Sequence, residues 1–158
     1  MALSQDVIGS WRHPRVVIRR LLAKGSSEPF AFGLLATGLI LLFVSLTPFL
    51  AREAYLHPEQ PLVQRLVGAA LAITATVPFW YALAAIAHLV ALVFGGKGGF
   101  FGGRLALFWA IVITAPFNLI LGLLQGLAGQ TQGVTLLGLM VFGTFLAFWL
   151  ILSVEVEQ

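Results

Sequence analysis

Apolar positions in this chain come in long unbroken runs, separated by short polar stretches. Residues 30–50 carry no charge, and residues 66–96 are uncharged apart from His88. Residues 105–154 form fifty consecutive positions without an acidic, basic or histidine side chain. A bilayer core takes about 20 residues of helix. The first run is therefore one span. The last is two, turning at Gly129-Gln130-Thr131-Gln132-Gly133, where glycine and polar residues cluster. The middle run would overshoot the bilayer as a straight helix. It must tilt and kink, with Pro78 as the break, or divide into an interfacial helix over 61–77 and a span; one long, tilted, kinked helix is the favoured form. The pattern predicts an all-α membrane bundle with spans at about 30–50, 66–94, 104–127 and 134–153.

Ahead of the first span the pattern changes. Between Pro14, suited to a first helical turn, and Gly25, suited to a stop, Val17, Ile18, Leu21 and Leu22 share one arc. Arg15, Arg19, Arg20 and Lys24 occupy the remainder, with Val16 out of place. A short helix of this kind lies in the membrane interface rather than crossing it. It serves as a topology anchor or as a docking surface for acidic lipid or an acidic partner. The opening MALSQDVIGSW lacks a basic residue before an apolar core, so no cleaved signal is expected. Ser27 reads as the cap of the first span, following Ser26 and preceding Glu28 and Pro29. The chain thus divides into a cytoplasmic amphipathic segment, 1–28, a membrane domain, 29–154, and an acidic tail, 155–158.

Composition sharpens the class. The 158 residues are 59% hydrophobic and 9% charged, against about 25% charged in soluble domains. Most of the surface must face lipid. The net charge of +3 comes with no basic stripe, which argues against nucleic acid as a partner. Absence of cysteine excludes disulfides, thiolate catalysis and Cys-based metal sites, and His57 lacks ligand spacing with its neighbouring carboxylates. No cofactor or metal is expected. With four spans, the termini and the glycine-rich turn at 95–103 share a side. That side holds seven Lys and Arg, including Lys97 and Arg104, against Arg52 and Arg65 opposite. The positive-inside preference places it in the cytoplasm of a cell inner membrane, with Trp109 and Trp149 near the cytoplasmic headgroups.

Candidate chemistry is sparse. Gly122 and Gly126 form a GxxxG pair suited to close helix contact. Asn118 and Gln125 fall on the same face of the third span, just past Pro116. They would either bond between helices or, with His88, form a polar track for a small solute. His88 is ionisable within a predicted span, and no acidic residue lies in any span to pair with it. The stretch Phe94-Gly95-Gly96-Lys97-Gly98-Gly99-Phe100 departs from the phosphate-binding loop: Lys97 precedes Gly98, not Ser or Thr, and both flanks are membrane helices. It reads as a tight helical hairpin pinned at the headgroups by Lys97 and Arg104.

That stretch, with Tyr81, His88 and Leu89 before it and Arg104, Ala106 and Pro116 after it, resembles the bacterial branch of the Yip-domain family, named for the Ypt-interacting proteins. The segment WRHPRVVIRRLLAKG resembles the part that many bacterial members carry before their first span. The resemblance implies four or five spans and a cytosolic N-terminus. Eukaryotic relatives bind Rab-type GTPases and shape vesicle traffic; this sequence departs from them in lacking a long cytosolic N-terminal region, which argues against GTPase binding. It implies no catalytic residues. The expected role is a non-enzymatic scaffold or accessory subunit of a larger membrane complex, or a lipid-organising protein, contacting lipid and another integral membrane protein, a larger complex or itself. The alternative is a small transporter or channel subunit using His88, Asn118 and Gln125.

Overall fold

The structure, a computed structural model, describes residues 3–25 and 27–158; Ser26 lies outside them. Seven helices follow in order: α1 Leu3–Arg12, α2 Pro14–Ala23, α3 Glu28–Leu56, α4 Leu62–Ala75, α5 Val77–Val93, α6 Phe100–Ala128 and α7 Gln132–Val156. No strand occurs among the described residues. Four stretches are long and apolar enough to cross a membrane: α3, α4 with α5, α6 and α7. At 29 residues each, α3 and α6 extend about 43 Å, so their ends project beyond a hydrocarbon core of about 30 Å.

Local chemistry sets the boundaries. Ser27 caps α3, its hydroxyl accepting from the Phe30 N–H at 3.4 Å, and Thr131 caps α7, accepting from Val134 N–H at 3.4 Å. The long middle run breaks at Thr76. Pro78 has no N–H to continue the ladder to Thr74, so the preceding turn tightens: Thr76 N–H donates to the Ile73 carbonyl at 3.0 Å. The Thr76 hydroxyl donates to the same carbonyl at 2.6 Å and accepts from Trp80 Nε1 at 3.0 Å. The kink is thus held by side chains as well as by the proline.

Helix α6 is the hub. It packs along α3 and against α7 and α5, and it also touches α1 and α2. From Leu105 to Ala115 every residue of it is buried, whichever way it points. A helix apolar all round needs cover all round. Helix α4 packs chiefly on α3 and has no buried residue, leaving one side of α6 for another element to cover.

The N-terminal segment supplies that cover: the expected short amphipathic helix is present, joined by a second one, and its apolar face meets protein. It forms a hairpin of α1 and α2; Asp6, early in α1, meets Arg20, late in α2, at 3.1 Å. Val17, Ile18 and Leu21 do share a face, but that face is buried in the protein core. Two indoles fasten the hairpin. Trp109 Nε1 donates to Ser10 Oγ at 3.0 Å, and Trp11 Nε1 donates to the Ile113 carbonyl at 2.9 Å. Ile113 lies three residues before Pro116, a proline inside α6. Trp109 is consequently enclosed, not exposed to headgroups. Its length and hydrophobicity suited an interfacial place; the hydroxyl of Ser10 gave its N–H a partner inside.

Candidate functional site at the charged end of the bundle

The glycine-rich turn begins with a stop built on Gly95. At φ +87 it takes a conformation that a side chain would strain. The N–H of Gly96 reaches the Ala91 carbonyl at 2.9 Å and that of Gly95 reaches Leu92 at 3.0 Å, closing α5 with a paired C-terminal cap. The reversal points the next N–H groups at the end of α7. Lys97 N–H donates to the Glu157 carbonyl at 2.8 Å, and Gly98 N–H donates to Glu157 Oε2 at 3.0 Å. The loop therefore does hold an anion, and the anion is the chain's own carboxylate.

His88 completes this clasp. Its Nδ1–H donates to Glu157 Oε1 at 2.6 Å, and its ring meets Phe100 edge-on at 4.5 Å between centroids. Both partners are buried. The acid that the spans lack comes from just past the last of them. Glu157 joins α5, the loop and α7 through three polar contacts, which orient it and supply donors to its carboxylate.

A second carboxylate anchors the hairpin. Glu155 is buried, and Arg15 at 3.7 Å and Arg19 both pair with it. The two guanidinium groups remain largely exposed on their outer sides. Arg104 pairs with Glu28 at 2.7 Å and lies 6.0 Å from the Tyr81 ring centre, while Lys24 lies 6.0 Å from that of Phe30. Lys97 is exposed beside the clasp. The sequence-predicted headgroup residues Arg15, Arg19, Arg20, Lys24, Lys97 and Arg104 are thus brought to one end, and four of them also hold protein acids.

Gly122 and Gly126 lie where α6 crosses α3. A methyl at Gly122 would overlap the Ser45 carbonyl, and one at Gly126 would come within 2.6 Å of Pro48 Cβ. Backbone meets backbone here, which only small residues permit. The remaining candidates are not assembled. Gly103 of α6 touches His88, and Asn118 is fifteen residues further on, about 22 Å along the helix. Asn118 donates to the Thr114 carbonyl of its own helix at 3.4 Å instead of bridging helices. Gln125 is two turns beyond, half-buried.

Sequence reasoning missed Glu155 and Glu157 as functional positions, and Ser10 and Trp11 as anchors. A signal existed for the acids. The tail falls on the same side as His88's end of its span and as the arginines, so two carboxylates there had cations within reach. A hairpin folded back on α6 had no equivalent signal.

Four apolar crossings gathered on a central helix, with one charged end and an amphipathic hairpin, define a multi-pass α-helical membrane protein. The chain belongs to the Yip1 domain family, whose sequence model matches residues 8–155. The match takes in the hairpin from late α1 onward and ends at Glu155. No curated protein and no solved structure matches the chain.

Proposed function

We propose that the protein is a non-enzymatic scaffold or accessory subunit in a cell inner membrane, with its termini and the 95–103 turn in the cytoplasm. One observation carries this reading. The buried polar side chains at the charged end hold the chain's own helices together, while α4 and most of α7 leave their apolar surfaces uncovered. A scaffold needs a rigid body and free helix faces; a transporter needs a hydrated path. The separation of His88 from Asn118 gives such a path no continuous lining. Arg15, Arg19 and Lys24 present their outer sides to the membrane surface, where each basic residue contributes about 1 kcal/mol toward anionic lipid.

Photo-crosslinking in living cells tests the proposal. The chain has no cysteine, so a single introduced cysteine can carry the reagent at Leu71 on α4 or Met140 on α7, both exposed. One defined membrane partner, or a second copy, recovered from one of these faces is the expected outcome. Recovery of lipid alone from both faces would sink the scaffold reading.

A further inference from the structure

Helices α5 and α7 both pack on α6 but leave a gap between themselves. The gap is a cleft of about 630 Å³. Its walls are apolar, with Leu83, Ile86 and Val90 on one side and Trp149, Leu150 and Val154 on the other. Its end is polar, formed by Gly95, Gly96, Glu157 and Gln158. Along α5 and its capping residue the lining runs from Leu83 to Phe94, twelve residues rising about 16 Å. That matches one leaflet, half of a hydrocarbon core of about 30 Å. A partner helix crossing the whole bilayer would outrun it by a factor of two. A single acyl chain would not.

Two opposite charges mark the polar end. Exposed Lys97 follows Gly96 directly, just outside the lining, and Glu157 is one of the lining residues. Glu157 accepts one hydrogen bond at each oxygen, from His88 and from Gly98, and each oxygen keeps a further acceptor position. A headgroup here meets a cation for its phosphate and an acceptor for an ammonium. An anionic headgroup without an amine would bring no cation to the carboxylate.

We propose that the α5–α7 cleft binds one amine-bearing zwitterionic phospholipid, its acyl chain along the groove and its headgroup between Lys97 and Glu157. Retention of lipid on the intact protein tests this. The protein is released from discs holding equal amounts of phosphatidylethanolamine and phosphatidylglycerol, and bound lipid is read by native mass spectrometry. Phosphatidylethanolamine should be retained in excess. Ala87→Trp, which fills the groove, should abolish the excess, whereas Leu139→Trp, on exposed α7 outside it, should leave it intact. Lys97→Gln should lower retention about fivefold, the effect of one basic residue near headgroups. Equal retention of the two lipids overturns the proposal, as does an Ala87→Trp protein that binds like the parent. If Ala87→Trp fails to fold, Lys97→Gln on its exposed loop decides, and unchanged retention then counts against the site.

Discussion

Glu157 shows how one side chain can depend on several neighbours. It is buried, and its charge is tolerated because His88 and the Gly98 amide both meet it. Removing the histidine leaves a buried carboxylate with one donor fewer, whereas neutralising the acid leaves no buried anion. His88→Ala should therefore destabilise the protein by about 3 kcal/mol, and Glu157→Gln by only about 1 kcal/mol. Unfolding in mixed micelles gives the ranking, and a Glu157→Gln protein weaker than His88→Ala would contradict the clasp. Gly122 makes a different demand, since its neighbour is backbone and cannot rotate away from an added methyl. Gly122→Ala should cost about 1–3 kcal/mol or more, while Gly133→Ala, with open space around it, should cost little. At this scale, Gly122 and Gly126 could be singled out from spacing alone, because closeness of helices requires small residues in a fixed repeat. The partner of His88 could not, because sixty-nine positions separate the two residues.

Among the elements, the α1–α2 hairpin depends most on what surrounds it. Each helix is only 10 residues long, too short to be stable alone in water. Packing of Val17, Ile18 and Leu21 on the bundle sustains it, together with the Glu155 pairing and the two indole bonds. Arg15→Gln combined with Arg19→Gln strands Glu155 and should speed hydrogen exchange across residues 3–23. Adding Glu155→Gln should restore much of the protection, since the uncompensated charge is then gone. Loss of protection in the double variant with no recovery in the triple would show that the arginines act through something other than Glu155. The amphipathic arc of α2 was legible because helical spacing is a local property. Its destination was not, since lipid and a neighbouring apolar helix attract such an arc by the same hydrophobic effect. The second interruption, at Thr76, was legible through Pro78, whose missing N–H acts within one turn.

At the scale of the whole molecule, the even number of crossings sets which ends can meet. Glu157 can reach His88 and Gly98 only if α7 returns to the side from which α6 departs. Cysteines introduced at Ser4 and Gly99 should react with an impermeant reagent from one side of the membrane, and those at Gln60 and Gln130 from the other. Reaction of the Ser4 and Gly99 positions from opposite sides would break both the four-span arrangement and the clasp. The sequence by itself determined the class, the four apolar crossings and the shared side of the charges. These follow from the cost of placing charge and unpaired backbone in hydrocarbon, which acts on each segment separately. Only the tertiary structure decided that α6 is the hub, that the N-terminal hairpin covers it, and that the acidic tail closes on the glycine turn. Those choices rest on which surfaces remain uncovered once the helices meet, and on pairings between residues far apart in the chain, so no single stretch contains them.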